Sequence, residues 1–237
     1  MGPRLGRQAI RTRAVTMRTL NASIQHIEIP ERMRALPISG QGYPIPWFVA
    51  WINGKADFRV VDTRKIMIAI RQGRCWLCGG SMGRFKAFVI GPMCAVNRTS
   101  SEPPSHRDCA EYAVGACPFL TKPRMRRNAA DLPEHQGAPG IMLDRNPGVV
   151  MIWMTRSYNV FRPHAGNTSE RNILFRIGPP TDVVFYSEGR RATREEIMAS
   201  IDSGLPKLRE LAEEEGAEAV AELDKYVATA MKLVPAA

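Results

Sequence analysis

Cys75, Cys78, His106 and Cys109 fall into two pairs, each with two residues between its members: Cys75-Trp76-Leu77-Cys78 and His106-Arg107-Asp108-Cys109. Thiolate and imidazole donors in two such pairs are what a tetrahedral zinc site needs. Zinc chemistry divides at this point. Four protein ligands close the coordination sphere and give a structural ion; three leave a position open for water and catalysis. Two complete pairs read as the closed form, holding structural Zn2+. The fourth ligand stays open at this level, because Cys94 or Cys117 could replace His106 in an all-cysteine site. Without a metal, the cysteines would be small buried hydrophobes and His106 a capping or core residue. Trp76, between two thiolates, reads as a packing side chain rather than a base-stacking one.

The elements that position these residues are also partly legible. Gly79 and Gly80 follow the first pair and let the backbone bend as a zinc knuckle requires. Residues 85–90 read as a strand and Gly91-Pro92 as a turn. Ser105 is suited to cap a helix whose first turn carries His106 and Cys109 on one face. This order of knuckle, hairpin and helix resembles the treble-clef zinc-finger group over residues 71–122 only. The resemblance implies a structural scaffold and no single activity, because that scaffold serves nucleases, ribosomal proteins and adaptor modules alike. Its HNH-type nucleases carry a histidine general base on the hairpin, with further side chains around a catalytic metal. The interval 84–98 holds no His, Asp or Glu, so nothing there would perform that chemistry.

Charge is distributed unevenly within a net of +10. Residues 1–27 carry Arg4, Arg7, Arg11, Arg13 and Arg18 and no acid. Residues 71–128 carry ten Lys/Arg against Glu102, Asp108 and Glu111, a net of +7, while the tail beyond Arg194 is acidic. Arg74, Arg84, Lys86, Arg98 and Arg107 lie inside the metal-site segment, and Lys122, Arg124, Arg126 and Arg127 follow it. Such a set could neutralise phosphates of a nucleic acid without reading its sequence. It could equally form a solvated face or pair with the acidic C-terminal helices. The expected function is a zinc-stabilised, nucleic-acid-associated protein. A protein-interaction module is the alternative, and an enzyme with dispersed residues a third reading, drawing on His135, His164 or the arginines at 190, 191 and 194.

The 237 residues, 44% of them apolar, suffice for one large domain or a domain with an appendage. The longest apolar run, 149–154, suits a buried strand and falls far short of a membrane span. All five cysteines lie between Cys75 and Cys117, a pattern of metal binding in a reducing compartment, so the cytoplasm is expected. Residues 1–27 read as a flexible basic arm. Their composition also fits a transit peptide, or an extension ahead of a start at Met17. Residues 28–190 form an α+β core with the zinc module at 71–122, and 191–237 a C-terminal helical segment.

Within that core, Asn53-Gly54 between two β-prone runs predicts a hairpin over 47–61, followed by a helix over 62–71. A Pro/Gly/Arg-rich loop runs from Pro123 to Pro147-Gly148, and strands are expected at 149–155, 173–177 and 183–186. Thr193 and Glu196 make a capping box that opens a helix ending near Gly204, with two more helices at 206–215 and 217–233. The expected architecture is a small, mainly antiparallel sheet with the zinc module inserted after the first hairpin. No Walker loop, dinucleotide-binding glycine fingerprint or nucleophile elbow occurs.

Overall fold

The computed structural model describes residues 19–122, 125–126, 146, 148–162 and 173–236. Most of the expected N-terminal arm, most of the loop after Pro123, Arg124, Arg127, His135 and His164 lie outside the described residues.

The first hairpin forms as its turn dictates. Asn53 (φ 50°) and Gly54 (φ 75°) both take positive φ, the geometry whose twist suits flanking antiparallel strands. They join β1 (Val49–Ile52) to β2 (Lys55–Val61). Helix α1 (Thr63–Gln72) follows at once; the Asp62 side chain accepts from the Arg64 N–H, and Gly73 ends the helix in the left-handed region.

Strand β5 (Val150–Thr155) is buried along its whole length because both of its faces are covered. It lies between β3 (Lys86–Ile90) and β8 (Pro180–Ser187), with the short β9 (Arg190–Arg191) beyond, in a four-stranded antiparallel sheet. Side chains alternate between faces along a strand. Val150, Ile152 and Met154 meet Ala87 and, from helix α3 (Arg107–Ala116), Ala110 and Val114. Met151 and Trp153 turn the other way, into the main core with Phe88, Ile90, Phe175 and Ile197. The sheet therefore separates the metal-site helix from the C-terminal helices.

A second antiparallel sheet has the order β4 (Thr99–Ser100), β7 (Leu174–Ile177), β6 (Tyr158–Phe161). Among the described residues the fold is thus a mixture of helices and three small antiparallel sheets, where one sheet was expected. Helix α4 (Pro118–Thr121) extends the chain beyond α3.

Two breaks read from glycine and proline are not breaks. Gly91-Pro92 opens helix α2 (Pro92–Asn97), with Pro92 at its first position, where no N–H is needed. Helix α5 (Arg194–Glu215) starts at the expected capping box, with both reciprocal bonds present, but runs through Gly204 and Pro206. At Gly204 a Cβ would lie 2.7 Å from Met93 Cγ, so that glycine permits close packing on α2 and does not end the helix. Gly216 divides α5 from α6 (Ala217–Met231), and Val96, Ala212 and Leu223 form the shared core of α2, α5 and α6. No helix among the described residues is long and apolar enough to cross a membrane.

Candidate metal centre

The first ligand pair sits on a closed turn between α1 and β3. The Cys75 N–H donates to the Gly80 carbonyl (2.8 Å) and the Gly79 N–H to the Cys75 carbonyl (2.9 Å). Gly79 has φ 74°, and a Cβ there would lie 2.7 Å from Trp47 Cγ; both conformation and space demand glycine. Trp76 is packed as expected, stacked on Phe48 with ring centroids 4.9 Å apart and edge-on to Trp47.

The second pair stands at the start of α3, one position from where the capping expectation put it. His106 itself is the N-cap, with no side-chain capping bond, and Cys109 falls in the first turn. Ser105 instead exchanges two backbone hydrogen bonds with Ala87, both 2.8 Å. This bridge between β3 and the approach to α3 is all that corresponds to the expected hairpin. Strand β3 takes its long partner from β5, more than fifty residues on, and α2 and β4 fill the interval. A treble-clef arrangement is not established by this topology.

The donor atoms of Cys75, Cys78, His106 and Cys109 lie within 4.8 Å of one another, close enough to hold a metal ion. His106 Nε2 is 3.0 Å from the Ser81 carbonyl. A carbonyl only accepts, so Nε2 carries the proton and the Nδ1 lone pair is left for a ligand bond. Nδ1 lies 3.4 Å from Cys78 Sγ and 3.8 Å from Cys109 Sγ. Backbone N–H groups point at the sulfurs: those of Cys78 and His106 at Cys75 Sγ (3.5 and 3.4 Å), and that of Gly80 at Cys78 Sγ (3.4 Å). Cys75 and Cys109 have no solvent exposure.

Hydrogen bonds from Cys109 and Cys78 hold the Cys75 thiol far below its ordinary range. Contact with Cys75 pushes Cys109 far up, with Cys78 and burial adding to it. At Cys78 the contact with Cys109 lowers the pKa, but Cys75 and burial outweigh it and the net shift is upward. Three thiolates crowded into this volume repel one another, and a cation among them would offset that repulsion.

Cys94 and Cys117 are not part of this group. Cys94 packs against the main core and Cys117 caps α4; burial raises both thiols. The structure brings His106 to the three cysteines, which spacing alone left undecided. The Ser81 carbonyl is the partner sequence reading missed; a backbone acceptor leaves no trace in residue type.

An open groove of about 480 Å³ runs beside the centre, lined by His106, Ser81, Arg32, Arg84, Phe85 and Arg107, with Asp108 and Glu111. Of the expected cations, Arg84 and Arg107 meet here. Arg107 is engaged by Glu111 and Asp182, both at 2.9 Å, and Arg32 by Asp108 at 2.9 Å. The Lys86 ammonium donates to the carbonyls of Gly83 and Arg84, and Arg74 is half-buried with Nε 3.3 Å from Gln72 Oε1. Arg98 belongs to the other side of the sheet. Its guanidinium lies 5.9 Å over the Trp153 ring, whereas Met154, facing the opposite way, lines the groove. Lys122 and Arg126 are exposed beyond α4. Arg190 is bonded to Glu196, and Arg191 lies over the Tyr186 ring.

Comparison with protein-family models, with curated proteins and with solved structures finds no match to this chain.

Proposed function

We propose that the chain is a zinc-stabilised, nucleic-acid-associated protein in which the zinc is structural. The observation that carries the zinc is the donor geometry. A tetrahedral ion with Zn–S near about 2.3 Å and Zn–N near about 2.05 Å has an S···N edge of about 3.6 Å. The two Nδ1···Sγ distances, 3.4 and 3.8 Å, straddle it. The 4.8 Å envelope of the whole set is about 1 Å wider than the S···S edge of about 3.8 Å. Four protein donors leave no position for substrate, which favours a structural ion. Residues 85–100, between the two pairs, supply no acid or histidine for chemistry.

The nucleic-acid part of the reading rests on charge. Over the described residues from 19 to 191, nineteen Lys/Arg face nine Asp/Glu, a net of +10; from 192 to 236, five face ten, a net of −5. The acidic helices meet the basic body at the Arg190–Glu196 pair, while the pairs Lys207–Glu210 and Arg209–Asp224 stay within α5 and α6. Arg84, Lys122 and Arg126 have no ion-pair partner among the described residues. If those three contact phosphate, log K for duplex DNA falls against log salt with a slope of about −2.7. A salt titration of binding to DNA and RNA tests this; absence of binding at low salt sinks it.

A protein-interaction module is the second reading. It is favoured by the exposed acids Glu213, Glu214, Glu215 and Glu218 around the α5–α6 turn. Recovery of one stoichiometric protein with no nucleic acid would select it.

A further inference from the structure

Exposed apolar side chains are not scattered over this molecule. Of six large ones among the described residues, Trp51, Ile52, Phe58 and Ile68 belong to the β1–β2 ribbon and α1. Trp51 and Ile52 are consecutive in a strand and so point to opposite faces, yet both are exposed, at 52% and 36%. The sheet has two strands, and no third strand among the described residues pairs with either edge. The root is fixed: Val49 and Val60 are fully buried, the Asp62 N–H donates to the Phe48 carbonyl at 2.9 Å, and the Lys65 ammonium lies 5.6 Å over the Trp47 ring. The ribbon is an arm with an anchored base and a bare end.

Its charge selects an occupant. From Val49 to Arg74, six cations face two acids, a net of +4. Both acids are engaged, Asp57 by Arg59 at 2.7 Å and Asp62 by Arg64 at 2.9 Å. Lys55 and Arg71 are exposed without an ion-pair partner among the described residues. On α1, Arg64, Ile68 and Arg71 are all exposed at helical spacing, an apolar side chain between two cations. A second copy would bring +4 against +4. A bilayer would have to admit the polar tip Asn53-Gly54-Lys55 first. Single-stranded nucleic acid offers the two things the arm lacks, flat apolar faces and regular negative charge. In a duplex those faces are already stacked on one another.

We propose that the β1–β2 ribbon with α1 is a single-strand contact, in which Trp51 and Phe58 stack on bases and Lys55 and Arg71 meet phosphates. It rests on the nucleic-acid reading above and narrows it to unpaired strands. Trp51 is the exposed tryptophan of the four; Trp76 and Trp153 are buried and Trp47 is half-buried. Its fluorescence therefore reports directly on stacking.

The test uses the full chain with a twelve-nucleotide oligo-dT, an oligo-rU of the same length and a matched duplex. Oligo-dT or oligo-rU should quench Trp51 emission and bind more tightly than duplex. Trp51→Ala and Phe58→Ala should each weaken single-strand binding about 5- to 150-fold, while Trp51→Phe keeps most of it. Circular dichroism and metal content of the variants should match the parent, since neither side chain is in the core. Single-strand and duplex affinities that are equal and indifferent to both alanine variants overturn this inference and leave the broader reading standing. No binding to any probe overturns both. Binding to phosphatidylserine vesicles, or a dimer in sedimentation velocity, that Trp51→Ala abolishes also overturns it, assigning the arm to a membrane or a second copy.

Discussion

Replacing Cys109 by serine should dismantle the segment that holds the metal centre and should not leave a folded protein with an altered site. Cys109 is fully buried in the first turn of α3 and joins that helix to the turn carrying Cys75 and Cys78. Fixing the eight residues from Cys75 to Met82 costs backbone entropy of about 1–2 kcal/mol each, or about 8–16 kcal/mol in all. A structural zinc contributes about 10–16 kcal/mol, so the two are matched and little is left when the ion is lost. What remains is modest: the exposed Arg32–Asp108 pair, worth about 0–1 kcal/mol, and packing around Ile24, Met33 and Leu77. Because α3 covers one face of β5 through Ala110 and Val114, the damage should spread into the central sheet. Amide hydrogen exchange read alongside zinc content is the assay. Protection should fall to that of an unfolded chain over 75–82 and 107–116, and Cys78→Ser should behave alike. A metal-free Cys109→Ser protein that keeps its protection across those segments would refute the reasoning.

Four further outcomes follow from the same structure. Contact with Cys75, together with burial, pushes the Cys78 and Cys109 thiols up, and zinc binds thiolates, so zinc binding should release protons. Calorimetry in buffers of different ionisation enthalpy should find that release, with affinity rising as pH rises; no proton release would contradict it. Thr193→Ala removes the capping box of α5 and should cost about 0.5–2 kcal/mol in denaturant unfolding. Its partner Glu196 is held down at about 2, chiefly by the Arg190 guanidinium and then by the Thr193 N–H. A depressed carboxyl stabilises above its unfolded value near 4.5 and loses that effect as pH falls toward about 2. The Tm deficit of Glu196→Gln should therefore be full at pH 7 and vanish near pH 2. Gly73 and Gly79 separate two costs: both have positive φ, but only Gly79 has a neighbour in the way of a Cβ. Gly73→Ala should lose about 1–2 kcal/mol for the left-handed backbone alone, and Gly79→Ala clearly more, by urea midpoints.

Features set by a few adjacent residues were legible in the sequence. The Asn53-Gly54 turn, the Asp62 start of α1, the β3 and β5 strands and the Thr193 capping box all stand where local chemistry put them. Pairings across long intervals were not. Nothing near residues 86–90 says that their partner is β5 and not the next strand, and the split into three sheets follows from such pairings. Gly204 and Pro206 read as a stop because their local propensity was all that could be weighed; packing against Met93 overrides it. The metal site shows the same division. Spacing identified two pairs of donors, but the choice of His106 over Cys94 or Cys117 depends on where α3 returns to the first turn. The cations read as one cluster are divided by the central sheet, which places Arg98 away from Arg84 and Arg107.

The central claim is a closed, four-ligand structural zinc at Cys75, Cys78, His106 and Cys109. X-ray absorption at the zinc edge, on protein purified without added metal and with zinc content measured on the same sample, tests it most directly. The expected result is one zinc per chain, bound by three sulfurs at about 2.3 Å and one nitrogen at about 2.0–2.1 Å. A spectrum that requires an oxygen ligand from water, a fourth sulfur, or no bound zinc at all would contradict it.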